Sequence, residues 1–285
     1  MINRLAVIGV GLIGGSLSLA LKEAGKVGEV VGYSRTASVR QEALELGVID
    51  RAADNIAEAV KDADVIFLAV PMAAMETVLQ DLTPHISADT IITDGGSAKG
   101  QLVDIARNVL GNKLSQFVPG HPIAGTEKSG PSAAFSTLYK DHRVVLTPIA
   151  ETNAESLETV RAMWQATGAE VFEMDVKHHD VVLAATSHLP HVLAFNLVNM
   201  LAERDDCEEV LRYAAGGFKD FSRIASSDAV MWRDICLSNS EAVLELIQQY
   251  QQGLAQLEQA IKNQDGETLK TVFTRAKQAR DTRFK

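Results

Sequence analysis

The sequence predicts an α/β domain that binds a dinucleotide, followed by an all-helical domain. Three observations carry that expectation. Short apolar runs alternate with helical patterns over roughly the first 175 residues, which is the signature of a mostly parallel sheet with helices on both faces. A G-x-G-x-x-G string, Gly9-Val10-Gly11-Leu12-Ile13-Gly14, lies between the first strand and the first helix. After Asp175 strand-like runs cease and only helical spacing remains. The expected division is 1–174 and 175–285.

The elements follow in order. Leu5–Ile8 reads as a buried strand and Leu12–Ala24 as the helix behind it. Glu29–Tyr33 is the second strand, with a helix running through Ala43 and Leu46. Asp64–Val70 is the third strand, ended by Pro71; Thr90–Thr93 is the fourth, followed by a helix over Leu102–Leu110. Phe117-Val118 is short and runs into Pro119-Gly120-His121-Pro122. Arg143–Leu146 and Glu170–Phe172 flank a helix at Ala154–Ala166. In the second half the spacing predicts helices over Val181–Glu203, Glu208–Ala214, Asp228–Asn263 and Glu267–Arg283. Pro190 should kink the first of these, since it lacks a backbone donor and clashes with the preceding turn.

Composition narrows the function. Over 285 residues, 27 Lys and Arg stand against 37 Asp and Glu, a net charge of −10. A phosphate-backbone binder carries the opposite excess, so no nucleic-acid partner is expected. The basic stretch Lys262–Lys285 reads as the solvated face of a terminal helix. Two cysteines, Cys207 and Cys236, are too few for a disulfide framework and suit a reducing, cytoplasmic setting. The apolar start of the chain is broken by glycines, and no run of about 20 apolar residues is read as a membrane span.

The glycine string has a specific use. Gly9 permits a tight turn, Gly11 lets backbone approach a pyrophosphate, and Gly14 allows close packing of helix on strand. The helix opening at Leu12-Ile13 then points unpaired N–H groups at phosphate, and Val70-Pro71 should border the same crevice. Enzymes that use NAD usually place a carboxylate at the end of the second strand. Here Ser34-Arg35-Thr36 stands there instead. A guanidinium flanked by hydroxyls attracts a 2′-phosphate, so NADP is expected over NAD.

Ligands of open α/β sheets sit beyond the carboxyl ends of the strands. That rule selects Pro71-Met72, Asp94–Lys99 and Gly120–Glu127. His121, held between Gly120 and Pro122, is the candidate catalytic imidazole. A second cluster, Ser187-His188-Leu189-Pro190-His191, places two histidines three apart on one helix. Without a carboxylate or thiolate set beside them they suggest substrate contact, and no metal is expected. Gly216-Gly217-Phe218-Lys219-Asp220-Phe221-Ser222-Arg223 reads as a loop presenting Arg223 to an anion, or else as a surface arginine paired with Asp220.

Taken together, Gly9–Gly14, Asp94–Lys99, Gly120–Gly130 (GHPIAGTEKSG), Thr186–His191 (TSHLPH), Gly217–Ala225 (GFKDFSRIA) and Trp232 resemble the prephenate/arogenate dehydrogenases of tyrosine biosynthesis. The likeness spans nearly the whole chain. It implies a Rossmann-type domain followed by a helical domain that forms a homodimer. It implies an oxidative decarboxylation of prephenate or arogenate: hydride leaves C4 of a cyclohexadienol ring for NAD(P)+, the 4-hydroxyl loses its proton, and the ring carboxylate departs as CO₂. His121 would be the base at the 4-hydroxyl. Ser97 resembles the family serine that touches the same hydroxyl and orients the histidine. Arg223 would bind a substrate carboxylate, His191 and His188 would line the substrate site, and Glu127 and Trp232 resemble gating or pocket residues. The motifs read the ring chemistry and not the side chain, so a dual-specificity cyclohexadienyl dehydrogenase is the expectation. The alternative enzyme class is a β-hydroxyacid-dehydrogenase-like reductase, whose lysine on the first interdomain helix is replaced here by Ser187–His191.

Overall fold

The computed structural model describes residues 1–126 and 128–283. By its internal contacts the chain divides into two units, Met1–Ser240 and Glu241–Lys285.

The first unit opens with β1 (Ile2–Ile8), α1 (Leu12–Glu23), β2 (Val27–Tyr33), α2 (Ala37–Glu45), β3 (Arg51–Ala52), α3 (Ile56–Val60), β4 (Val65–Leu68), α4 (Met75–Leu82), β5 (Ile91–Asp94), α5 (Gly100–Val109) and β6 (Phe117–Val118). The six strands form one parallel sheet in the order β3-β2-β1-β4-β5-β6. This is the doubly wound order, whose direction reverses between β1 and β4 and opens a crevice at their carboxyl ends. β4 is buried at every position, as an inner strand covered on both faces must be. Two apolar clusters fill the two faces, one around Ile66, Leu79 and Leu102, the other around Leu5, Phe67 and Trp164.

The chain then leaves this sheet at Pro119. β7 (Gly120–Ile123) pairs antiparallel with β8 (Arg143–Leu146), and β8 pairs parallel with β9 (Glu170–Glu173) across α6 (Ala154–Gln165), making a separate three-stranded sheet. β8 and β9 were legible in the sequence; β7 was read as the segment following the Phe117-Val118 strand, and the partition into two sheets was not foreseen. The partition follows from Gly120: its N–H is taken by Asp94, at the end of β5, and its C=O by Lys99, just before α5, so Gly120 does not extend β6.

From Asp175 onward the unit is helical: α7 (Val176–Leu183), α8 (Leu189–Ala202), α9 (Cys207–Arg212), α10 (Gly216–Ser222), a single 3₁₀ turn (Arg223–Ser226) and α11 (Ala229–Ser238). Asp175 caps α7, its carboxylate accepting from the amides of Lys177 and His178. Three expectations are corrected. Pro190 does not simply kink a helix; the strain is taken up just before it, by a π turn over Ala184–His188. The ring of a proline crowds the carbonyl four residues back, and a wider turn relieves that crowding. The stretch read as a loop before Arg223 is helix α10. The helix expected over Asp228–Asn263 breaks at Asn239, whose backbone leaves the helical region (φ −120°, ψ 38°).

Among the described residues one stretch, Val176–Ala202, is long and apolar enough by length and composition to cross a membrane, with a mean hydropathy of 1.5. No run of about 20 apolar residues was expected; in this stretch His179, Asp180, His188 and His191 interrupt the apolar residues. Only 22% of its most apolar window is buried within the chain.

The second unit is a pair of helices. α12 (Ser240–Lys262) and α13 (Gly266–Arg283) are joined by a tight turn in which Gln264 takes a positive φ of 56°. Asp265 caps α13 by accepting from the Thr268 amide at 2.9 Å.

Candidate active site

The glycine turn is built as its spacing requires. Gly9 sits at φ +103°, and a Cβ there would lie 2.2 Å from the Ala69 carbonyl oxygen. At Gly14 a Cβ would lie 2.0 Å from the Gly9 oxygen and 2.7 Å from Val7, so α1 packs directly on β1. At Gly11 the nearest atom is 4.0 Å away, which leaves open space over the helix N-terminus. These three positions fit a dinucleotide: two glycines shape the turn and the third leaves room for pyrophosphate. The segment after β7 closes on this turn. The Tyr139 hydroxyl donates to the Ile13 carbonyl at 2.6 Å, and the Phe135 amide donates to Ser16 Oγ at 3.1 Å. Val70 and Pro71 follow β4 on the other side of the switch, half-buried and exposed respectively.

At the end of β2, Ser34 is half-buried, while Arg35 and Thr36 are exposed. One residue of this corner was not singled out from the sequence. Arg40, on α2, donates to the Ser34 carbonyl at 2.7 Å and to Asp54 at 3.2 Å, with its guanidinium 5.8 Å from the Tyr33 ring centroid. It ties down the backbone that presents Ser34 and Arg35.

The main polar cluster lies where β5, β7 and α7 meet. His121, on β7, is buried, and its Nδ1 is 2.9 Å from Nε2 of His179. His179 Nδ1 is 2.8 Å from Asp180 Oδ1. Asp180 in turn accepts from the amides of Lys99 (2.9 Å) and Gly100 (2.8 Å), at the N-terminus of α5. The direction of the chain follows from its ionised end. A carboxylate only accepts, so neutral His179 gives it the Nδ1 proton and turns a lone pair on Nε2 toward His121. His121 then carries its proton on Nδ1, and its Nε2 is the basic atom. Burial, with His179, Lys99 and His188 nearby, holds the His121 imidazole well below 6.5. Burial also lowers His179. Burial alone would raise Asp180, but the hydrogen bonds from His179, Lys99 and Gly100 outweigh it and hold the carboxyl low.

Under this chain the Asp94 carboxylate pairs with the Lys99 ammonium, both fully buried. Asn239 closes the far side: its amide donates to the Asp180 carbonyl at 2.8 Å and lies 3.1 Å from His188 Nδ1. That contact leaves the His188 proton on Nε2, a buried atom without a partner among the described residues. Burial pushes the His188 imidazole down to about 4.

Trp232 joins the two histidines of the second cluster. His191 stacks on its ring at 3.5 Å between centroids, and His188 meets it edge-on at 6.1 Å. Arg223 is exposed, lies close enough to help depress His191, and has no ion-pair partner among the described residues. The hydrogen bond that orients His121 comes from His179, rather than from half-buried Ser97 as the resemblance implied. Glu127 lies outside the described residues. His179, Asp180, Asp94 and Asn239 were missed. The signal for the first two was present: positions 179, 180, 183, 184 and 188 share one buried stripe, where Leu183 and Ala184 are apolar and His and Asp are uneconomical. No group of three or more His, Cys, Asp or Glu stands in metal-holding geometry among the described residues.

The chain as a whole is similar to known proteins. Residues 17–173 match the family model described as prephenate dehydrogenase, nucleotide-binding domain, and residues 175–275 match prephenate dehydrogenase, dimerization domain. The chain is 39% identical to a cyclohexadienyl dehydrogenase of Zymomonas mobilis over 98% of this chain and 95% of that protein. It is 36% identical to a prephenate dehydrogenase of Bacillus subtilis, over 99% of this chain and 76% of the relative. Among solved structures it is similar to prephenate dehydrogenase from Aquifex aeolicus in complex with hydroxyphenyl propionate and NAD+, with a TM-score of 0.92, 36% identity and 98% of each chain covered. It is also similar to Synechocystis arogenate dehydrogenase (TM-score 0.82, 30% identity, 98% and 99% covered).

The buried imidazoles make stability depend on pH. Unfolded, each titrates near 6.5; folded, His121, His179, His188 and His191 all titrate lower. The unfolded chain therefore binds more protons as pH falls below 6.5, and stability that is whole above that value is lost on acidification. His188 alone accounts for roughly 3 kcal/mol once pH reaches 4. Urea midpoints should fall between pH 6.5 and 5, above the usual carboxylate range. A flat or rising midpoint over that interval would contradict the buried neutral rings.

Proposed function

This chain belongs to the prephenate dehydrogenase family, and from that premise we propose that it oxidatively decarboxylates prephenate and arogenate through the His121–His179–Asp180 chain. The enzyme is an NAD(P)-dependent oxidoreductase of tyrosine biosynthesis. The products are 4-hydroxyphenylpyruvate from prephenate and tyrosine from arogenate. The single observation that carries the mechanism is the run of contacts from Asp180 through His179 to His121 Nδ1, for which the acceptor-only carboxylate implies a lone pair on His121 Nε2.

The nicotinamide, when bound, supplies the hydride acceptor at the ring carbon bearing the hydroxyl. Gly9, Gly11, Leu12, Ile13 and Gly14 hold its pyrophosphate, and Val70-Pro71 border the nucleotide. His121 Nε2 takes the proton of the 4-hydroxyl as the carbinol becomes a carbonyl, and ring aromatisation with loss of CO₂ follows. The charge that develops on His121 is met by the dipole of His179 and, behind it, the Asp180 carboxylate. Such a base contributes about 10²–10⁴ in rate. Ser97, which follows β5 as His121 follows the start of β7, is the second group for that hydroxyl. His191, stacked on Trp232, and His188, with an unpartnered Nε2–H, line the substrate. Arg223 is the cation for a substrate carboxylate; its planar fork suits a bidentate contact. Glu127 is retained as a pocket residue.

NADP is the preferred cofactor in this reading. Ser34-Arg35-Thr36 offers hydroxyls and a guanidinium where a carboxylate would reject a 2′-phosphate, and Arg40 fixes that loop. The working form is a cytoplasmic homodimer that meets neither membrane nor nucleic acid. Its support is the dimerization-domain match and the exposed apolar side chains of the helical half, among them Met200, Leu237, Leu244, Ile261 and Phe273. The proposed domain division at 174/175 follows the point where Asp175 starts the first helix of that half.

Three measurements test these assignments. His121→Asn should lower kcat by about 10²–10⁴ while substrate still binds; an unchanged kcat would remove His121 as the base. Arg223→Ala should chiefly raise KM for prephenate, and an unaffected KM would sink the carboxylate role. Steady-state kinetics with both substrates crossed against both cofactors should give the higher kcat/KM with NADP, and Arg35→Ala should narrow that difference by about tenfold, the loss of one charge-assisted contact.

A further inference from the structure

A fully buried lysine is rare, and a buried ion pair is a poor way to gain stability. Apolar residues of similar volume usually do as well or better. The Asp94–Lys99 pair therefore calls for another explanation, and its contacts supply one. Asp94 Oδ1 accepts the Gly120 amide at 3.1 Å, and Oδ2 accepts the Gly96 amide at 2.7 Å. Lys99 Nζ, besides pairing with Asp94, donates to the Gly120 carbonyl at 2.7 Å. Both polar groups of Gly120 are thus gripped by one ion pair, and the next residue is His121.

Lys99 reaches His121 a second way. Its own amide donates to Asp180 Oδ1, the same oxygen that faces His179 Nδ1, and His179 holds the His121 ring. One residue is therefore tied to the backbone of His121 and to the chain that orients its side chain. The charged and titratable groups around that ring are Lys99 and Asp94 at the end of β5, His179 and Asp180 on α7, and His188 in the π turn. Burial lowers the Lys99 ammonium and its pairing with Asp94 opposes that; paired as a cation, it opposes a second proton on His121.

We infer that the Asp94–Lys99 pair is the positioning device of the base: it locks the Gly120–His121 backbone and keeps the imidazole ready to accept a proton. The inference rests on the reading of His121 as the base. Neither residue touches the substrate in this account; both act through His121.

The test uses the full-length enzyme. Lys99→Met combined with Asp94→Asn removes both charges together, so no lone buried ion remains to unfold the protein. Circular dichroism and NADPH binding establish that the double variant is folded. The expected result is a kcat lowered by about 10²-fold, the cost of a misplaced group. The acid limb of the kcat–pH profile should also move to higher pH, and imidazole ¹⁵N shifts should show His121 protonating at correspondingly higher pH. A folded double variant with wild-type kcat and acid limb overturns the inference. Lys99→Arg provides the second arm. It keeps the cation but not the fit to Gly120, so kcat should fall with the acid limb in place; an undiminished kcat removes the positioning role. His121→Asn separates the two levels. If that variant turns over normally, the base assignment itself has failed. If it is inactive while both Lys99 variants behave as wild type, only the role of the ion pair is lost.

Discussion

The site depends on one constraint: buried polar groups must satisfy one another where water does not reach. Asp180, His179 and His121 form a line in which each group has a single consistent role. The ionised carboxylate accepts, so each imidazole behind it must donate from Nδ1. Burial makes the arrangement stringent, because an unmade hydrogen bond there costs about 1–3 kcal/mol. The same burial that fixes the tautomer also holds the rings neutral. Orientation and basicity thus have one origin.

That constraint explains features of the fold that look unrelated. The main sheet stops at Val118 because Gly120 is committed to Asp94 and Lys99, and a second sheet starts at His121's own strand. The N-terminus of α5 is placed against Asp180, so its free amides meet a negative charge. The break at Asn239 puts one side-chain amide between the Asp180 carbonyl and His188. The π turn before Pro190 ends at His188, the ring that Asn239 meets. The irregular backbone at Gly120 and at Asn239 lies beside polar groups of this cluster.

How much was legible in the sequence follows from the range of each interaction. The glycine turn was read correctly because its logic is local: a positive φ at Gly9 and a close approach at Gly14 concern residues a few positions apart. His121 was found from its place after a strand. His179 was not, because its meaning comes from a contact across 58 residues of sequence that no periodicity reveals. The orienting role went to Ser97 by resemblance, whereas the structure gives the hydrogen bond to His179. Gly216-Gly217 was read as a loop because glycine disfavours helix interiors. Here the pair stands at the first turn of α10, following Ala215 in an extended conformation, where that penalty is smallest.

A chain of net charge −10 that takes anionic ligands needs cations whose charge is not already spent. The described cations divide by this criterion. Lys99 is consumed by Asp94, and Arg40 by the Ser34 carbonyl and Asp54, so both shape backbone instead of meeting ligand directly. Arg35 and Arg223 are exposed, and no ion pair holds either among the described residues. Arg35 lies on the loop that Arg40 fixes, and Arg223 lies near His191, the ring stacked on Trp232. The buried Lys99 charge thus serves the frame of the site, while Arg35 and Arg223 keep exposed guanidiniums without an ion pair among the described residues.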